Sequence, residues 1–300
     1  MNVPSVIALV LNYGRAHDTI ECVRSLRAST YPSLEIVVID NGSPDDSEAE
    51  IRRACPGIDV VQTGKNLGYA GGMNVGIQRA SKHSPNYLLL LNSDTILDKG
   101  CIRLLVEALE NNLGAGAASG TIFYYPDEGK VWYAGGTMNF WRASAFTNHD
   151  VDKSSDIAPV SFVSGCTMLI RTAVLNEIGL FDERFFMYLE DTELCARLLA
   201  NNYKILYVHD AKIFHKVFHE GDLPLPLYFS IRNRLLFLKI SATGVHKFVG
   251  YSYLCAVFSL KILYWFFMDP SLYRAAMFGF KDYLAGRFYE GRGLQLVSSK

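Results

Sequence analysis

Four times within the first 110 residues a short apolar run gives way to a segment of helical periodicity. VIALVLNY precedes DTIECVRSLRAS, EIVVID precedes SEAEIRRA, IDVVQTG leads through a glycine-rich stretch to MNVGIQRASKH, and YLLLLN precedes KGCIRLLVEALENN. Alternation of this kind predicts a parallel sheet with helices on both faces, and strands buried on both sides must be nearly continuous in apolar residues, as these are. With 300 residues, 50% of them hydrophobic, the chain is long enough to bury a large core.

Open sheets of this class bind ligands beyond the carboxyl ends of their strands, where loops and helix N-termini gather. Asp40 ends EIVVID and Asp94 follows YLLLLN, so two strands deliver acids to one rim. A strand of leucines can stay buried only until its first charge must meet water, a partner or a metal, and Asn92-Ser93-Asp94 marks that boundary. Beside a diphosphate, one carboxylate suits Mg²⁺ or Mn²⁺, hard cations that prefer oxygen. Asp94 would equally serve as a cap for the next turn.

Asp40, in VVIDNGSPDDS, is placed to accept from a ribose hydroxyl or a base N–H, although Asp-Asn-Gly-Ser is also an ordinary turn. In KNLGYAGGMNVGI, Gly68, Gly71, Gly72 and Gly76 would let the backbone approach a ligand at a helix entrance, or form a tight strand-to-helix connection. Neither a Walker A nor a G-x-G-x-x-G pattern is present.

In FDERFFMYLEDTELCARLL the apolar positions Leu194, Cys195, Leu198 and Leu199 recur at helical spacing, which puts Glu190 and Asp191 at or just before the first turn, facing the core. Acids there complement the helix dipole, and a partly desolvated one is also a good general base. Three histidines (His209, His215, His219) lack the spacing and cysteines of a zinc site, leaving His215 as a single auxiliary ligand.

After residue 115 the alternation breaks, and GTIFYYPDEGKVWYAGGTMNFW predicts hairpins beside the main sheet, followed by a polar, mobile loop at NHDVDKSSDIAP. Residues 248–268 are long enough to cross a bilayer but contain Lys261, Ser252 and Ser259. They are read as lying against a membrane surface, crossing it, or packing on their own domain. Residues 201–300 carry 13 Lys+Arg against 6 Asp+Glu, which leaves 16 against 24 for residues 1–200 out of the 29 and 30 in the whole chain. The basic final third calls for an anionic partner, while the balanced total argues against a nucleic-acid binder. Six scattered cysteines without a C-x-x-C pair, and an N-terminus that reads as a first strand, lead to the expectation of a cytoplasmic protein.

Taken in order, VLNYGR, VVIDNGS, KNLGYAGGMNVGI, LLLLNSD and FFMYLEDTELCARL resemble an inverting family 2 glycosyltransferase of the GT-A fold, in its rhamnosyltransferase-like branch, over roughly residues 5–240. The resemblance implies a GT-A domain over residues 1–240, a mainly parallel sheet flanked by helices, while charge and apolarity predict a helical, membrane-associated extension over 241–300. It implies that Asp40 contacts the base or ribose with Asn12, Tyr13 and Asn41 beside it. Asn66, Gly68 and Asn74 would line the nucleotide and diphosphate, and Arg232, in Arg232-Asn233-Arg234, would meet a phosphate. Asn92-Ser93-Asp94 takes the place of the D-x-D motif, with Asp94 and His215 on Mg²⁺ or Mn²⁺. Asp191, within the pair Glu190-Asp191, matches the catalytic base. Asn92 departs from the pattern, leaving one carboxylate where many relatives have two. The implied donor is a nucleoside-diphosphate sugar, dTDP-rhamnose or a UDP-sugar; the implied acceptor is a glycan or lipid-linked glycan of cell-surface polysaccharide synthesis, met at the cytoplasmic face of the cell membrane. Two other readings are a catalytically silent relative that only binds nucleotide or glycan, and a sugar-phosphate nucleotidyltransferase, for which VLNYGRAHDT offers only Gly14-Arg15 as a signature.

Overall fold

The computed structural model describes residues 3–150, 156–217, 224–293 and 296. The predicted alternation is present as β1 (Val6–Asn12), α1 (Ala16–Arg27), β2 (Leu34–Asp40), α2 (Ser47–Ala54), β3 (Asp59–Gln62), α3 (Gly68–Ser81), β4 (Tyr87–Asn92), a short β5 (Thr95–Leu97) and α4 (Cys101–Glu110). Strands β4, β1, β2 and β3 lie side by side and parallel. Leu88 to Leu91 are wholly buried between β1 and the later strand β11 (Thr167–Arg171), which runs antiparallel to them. Burial from both faces and both neighbours is why four leucines occur in succession.

The segment after residue 115 does more than add hairpins. Strands β6 (Ala115–Tyr124) and β12 (Lys204–His215) pair in parallel and extend the main sheet, with β7 (Asp127–Tyr133) on β6 and β10 (Ile157–Val160) on β12. Only β8 (Gly136–Asn139) and β9 (Ser144–Thr147) form a separate hairpin. An irregularity between Val208 and Lys212 re-aims β12, so that beyond it the strand reaches β5 and ends at His215 opposite Thr95. Of the polar loop expected at 148–159, residues 151–155 lie outside the described part, and Ile157 to Pro159 belong to β10 because they pair with β12.

The glycine-rich segment is not a turn before a helix. Helix α3 starts at Gly68 itself, and its glycines face protein. A Cβ on Gly72 would stand 2.7 Å from Leu11 Cδ1, and one on Gly76 would stand 2.6 Å from Ile39 Cδ1. These positions let α3 lie against β1 and β2 more closely than alanine would allow, which offsets the low helix propensity of glycine.

Beyond β11 come α5 (Thr172–Ile178), a 3₁₀ turn at Glu183–Phe185 and α6 (Glu190–Ala200). Helix α7 (Pro224–Ser241) is buried along most of its length, α9 (Pro270–Leu284) packs on it, and α8 (Gly244–Met268) lies between them in sequence with much of its surface outward.

Candidate active site

The register of the sheet sets the site. Asn12 pairs with Asp40, and Leu11 pairs with Asn92, so the ends of β1, β2 and β4 form one row on the carboxyl rim. Asp40 is 1% exposed and fully engaged. Its Oδ1 accepts from Asn12 Nδ2 at 2.8 Å and from the Ser43 hydroxyl, and its Oδ2 accepts from Gln62 Nε2 at 2.6 Å. Asn12 is held in turn by Thr19 Oγ1 and the Arg15 N–H, both donating to its Oδ1. Asn12 therefore orients Asp40, while the neighbouring Tyr13 is 46% exposed at the mouth.

Several residues expected to touch the nucleotide are engaged with the protein itself. Asn41 donates to the Gly68 carbonyl at 3.0 Å and to Asn66 Oδ1 at 3.3 Å, and accepts from the Leu67 N–H. Asn66 Oδ1 also accepts from the Gly68 N–H at 2.8 Å, so this pair folds the 65–68 loop on itself. Asn66 still lines a cleft of about 750 Å³ together with Lys65 and Arg287. Gly68 is not a point of ligand approach. It has φ of +71° and a Cβ there would meet the Phe186 carbonyl oxygen at 2.4 Å. Asn74 is buried and bridges α3 to the segment before α6, donating to the Phe181 carbonyl and accepting from the Phe181 N–H.

Arg232 requires a firmer correction. It is 0% exposed, and its guanidinium donates to the carbonyls of Tyr289, Arg184 and Phe185 at 2.6, 3.1 and 2.9 Å, which leaves it no phosphate to meet. Its neighbour Asn233 donates to the carbonyls of Phe185, Met187 and Tyr188, each at 2.8 Å. Together they clamp a loop in which Phe186, Tyr188 and Leu189 all have φ between +65° and +67°. Left-handed backbone at a bulky residue costs about 1–3 kcal/mol, and persists where surrounding bonds over-determine it. That loop leads directly into Glu190 and Asp191.

Helix α6 begins at Glu190, as its periodicity predicts, and the two acids sit in unlike surroundings. Glu190 is 7% exposed and its Oε2 has no hydrogen-bond partner. Burial, reinforced by the neighbouring Asp191 charge, pushes its carboxyl well above the ordinary range. Burial also raises Asp191, but the Gly165 N–H donates to its Oδ2 at 2.9 Å and the Thr192 N–H to its Oδ1 at 2.7 Å, and both favour the anion. Of the two, Asp191 has the side chain whose anion is better supported, the arrangement expected of a base beside a weaker acid.

On the other side of the same loop, Asn92 N–H donates to the Cys166 carbonyl at 3.0 Å, next to Gly165. Two residues further along the turn, Asp94 Oδ1 lies 3.1 Å from His215 Nε2. That is an ion-pair distance, and the buried His215 Nδ1 on the far side of the ring has no hydrogen-bond partner. A carboxylate oxygen and an imidazole nitrogen side by side, with no other donor on that oxygen, are a ligand set that would suit a divalent cation. The Trp132 ring meets His215 edge-on at 4.9 Å, and the next residue, Lys216, is tied to α1 through Asp18 at 2.7 Å and through Glu21. His17, Asp18 and Glu21 are grouped closely enough to hold an ion, but the Lys216 ammonium already answers both acids. His209 lies within the irregularity of β12 and contacts Asp210 instead, and His219 lies outside the described residues.

Gly165 joins the two halves. Its N–H meets Asp191 and its carbonyl accepts from Tyr69 Oη at 2.6 Å. Neither Gly165 nor Tyr69 stands out in the sequence as a site residue, and the same holds for Gln62 and Trp132. Ser43, within DNGS, was in view only as part of a turn.

The sequence profile of glycosyl transferase family 2 matches residues 5–179. An N-acetylglucosaminyl-diphospho-decaprenol L-rhamnosyltransferase of Mycobacterium tuberculosis is 27% identical over 218 residues, which is 65% of this chain and 70% of that one. A low-salt glycan biosynthesis hexosyltransferase of Haloferax volcanii is 27% identical over 239 residues, 76% of this chain and 73% of that one. Among solved structures, a mannosyltransferase from Pyrobaculum calidifontis in complex with GDP-Man and Mn²⁺ matches all of this chain and 80% of its own, with a TM-score of 0.60 at 17% identity. GalNAc-T7 with UDP, GalNAc and Mn²⁺ gives a TM-score of 0.64 at 16% identity over 80% of this chain, which spans about half of that protein, 48%. At such low identity the structural likenesses establish the fold, which is GT-A. The profile covers more than half of the chain, from β1 through the Asp94 turn to α5, and the relatives that share it are glycosyltransferases, so the chain belongs to glycosyl transferase family 2.

Proposed function

We propose that the protein transfers a sugar, with inversion at the anomeric carbon, from a nucleoside-diphosphate sugar to a hydroxyl of a glycan or lipid-linked acceptor in cell-surface polysaccharide synthesis. dTDP-rhamnose is the first candidate donor and a UDP-sugar the second, and the reaction takes place on the cytoplasmic face of the membrane. The observation that carries this reading is the Gly165 loop, with Asp191 hydrogen-bonded on one side and the Asp94–His215 pair on the other.

The nucleoside is read as lying against Tyr13 and the Asp40 rim, with its diphosphate directed toward Asp94. Mg²⁺ or Mn²⁺ held by Asp94 and His215 supplies Lewis-acid stabilisation of charge on the departing diphosphate. Asp191 accepts the proton of the acceptor hydroxyl as that oxygen bonds to the anomeric carbon from the face opposite the leaving group. The bond from the anomeric carbon to the diphosphate oxygen breaks, and the diphosphate leaves with its electron pair. Glu190 keeps its proton and so places no second negative charge beside the base.

A panel of nucleotide sugars with Mn²⁺, read first by thermal shift and then by nucleoside diphosphate release on adding acceptor, tests the reading. Stabilisation by one donor and release of its nucleoside diphosphate is the expected result. Release of pyrophosphate from a nucleoside triphosphate supplied with a sugar 1-phosphate would assign a nucleotidyltransferase instead, and binding without turnover would assign a silent relative.

A further inference from the structure

Helix α8 has two opposed stripes. Gly250, Leu254, Phe258 and Trp265 are its buried residues and rest on the protein body. The Arg234 guanidinium lies 5.5 Å from the Phe258 ring, and Gly250 is so close to the β8–β9 hairpin that a Cβ there would stand 3.0 Å from the Phe140 carbonyl oxygen. On the outer side Val245, Phe248, Ser252, Cys255, Ser259 and Leu263 recur at steps of three and four, all exposed and all uncharged. Phe248 is 75% exposed, Leu260 71% and Phe267 72%, far more apolar surface than a soluble helix leaves to water. No Asp or Glu occurs between Gly244 and Met268.

The chain segment that carries this face is weighted to one sign of charge. Among the described residues from 239 to 293, Lys239, Lys261, Arg274, Lys281 and Arg287 are exposed cations, against Glu290 as the exposed acid. Asp282 is buried on Arg292, and Asp269 caps α9. A second copy docking through this face would bring like charges together, because a two-fold contact sets the same surface against itself. An anionic bilayer meets both demands, accepting the apolar stripe and attracting the exposed cations of the same segment.

We propose that α8 is a monotopic anchor, lying in the plane of an anionic membrane with its outer stripe at the acyl boundary and the surrounding lysines and arginines at headgroup phosphates. At about 1.5 Å per residue it extends roughly 37 Å along the surface. It does not cross, because crossing would strip Gly250, Leu254, Phe258 and Trp265 from their contacts. The purpose of the anchor rests on the proposed use of a lipid-linked acceptor, but its physics does not.

Cys255 lies on the outer stripe and is exposed, whereas Cys22, Cys55, Cys101, Cys166 and Cys195 are buried, so the full-length protein reports on itself. Its alkylation rate is measured alone, with phosphatidylcholine vesicles, and with vesicles of equal parts phosphatidylcholine and phosphatidylglycerol. The expected result is slowing of about tenfold or more on the anionic vesicles alone, relieved by salt and by the triple substitution Phe248→Glu, Leu263→Glu, Phe267→Glu. These three side chains are exposed, so an unchanged circular dichroism spectrum is expected of the variant. Unslowed alkylation on anionic vesicles overturns the proposal, as does protection that appears without lipid and grows with protein concentration. Retention on the vesicles through an alkaline carbonate wash overturns the in-plane arrangement in favour of a crossing helix. Donor consumption with a water-soluble acceptor analogue separates the two readings: transfer without docking removes the anchor alone, and docking without transfer removes the proposed function and leaves the anchor standing.

Discussion

The Gly165 N–H donates to Asp191 Oδ2 at 2.9 Å, and this bond separates the chemistry of Asp191 from that of Glu190. Both carboxyls are raised by burial, but Asp191 has the Gly165 and Thr192 donors to stabilise its anion, where Glu190 has its own backbone N–H. Gly165 also lies next to Cys166, whose carbonyl holds Asn92, so one short loop sets the spacing between the base and the Asp94 turn.

Glu190 predicts a pH-dependent stability. Its folded pKa is raised, so it favours folding below its unfolded value near 4.5 and loses that contribution as pH rises toward the folded value. Glu190→Gln never ionises and is therefore expected to unfold at a higher temperature than wild type at pH 8, with the gap closing by pH 4. Each 1 kcal/mol corresponds to roughly 2–4 °C in a protein of this size or somewhat smaller. Thermal unfolding at the two pH values measures it, and a gap that is constant with pH would contradict the assignment.

Asn233→Ala should loosen the loop before Asp191. It removes the amide that donates to the carbonyls of Phe185, Met187 and Tyr188, of which the first is also held by Arg232. Unmade bonds to buried carbonyls cost about 1–3 kcal/mol, and the left-handed residues would then relax. The expected outcome is a lower kcat with an unchanged KM for donor, measured in steady state, together with a lower denaturant midpoint.

Asp94→Asn should weaken donor binding in Mn²⁺ by tenfold or more, about 1.4 kcal/mol, while leaving binding of the free nucleoside unchanged. Isothermal titration with donor and with nucleoside, each with and without metal, checks this. Equal metal dependence in the variant would remove Asp94 from the cation site.

Much of this arrangement was legible because strands buried on both faces write themselves plainly. The runs ending in Asn12, Asp40 and Asn92 predicted a parallel sheet whose rim holds acids, and the register places them there. Helix α6 was equally clear, since Leu194, Cys195 and Leu198 fix its inward face. What could not be read locally depended on distant partners. Gly72 and Gly76 look like turn residues until Leu11 and Ile39 are seen against them. Arg232 looks like a phosphate ligand until the carbonyls of Arg184, Phe185 and Tyr289 are found around it, because a buried guanidinium and an exposed one are the same letter. His215 reaches Asp94 only after the irregularity in β12 brings the strand to β5, a bend that no pattern within KILYVHDAKIFH announces.

The most direct measurement is single-turnover transfer by Asp191→Asn alongside its donor affinity in Mn²⁺. General-base assistance supplies about 10²–10⁴-fold, so transfer should fall by that factor while the donor Kd stays within about twofold of wild type. Transfer at the wild-type rate would contradict the role assigned to Asp191.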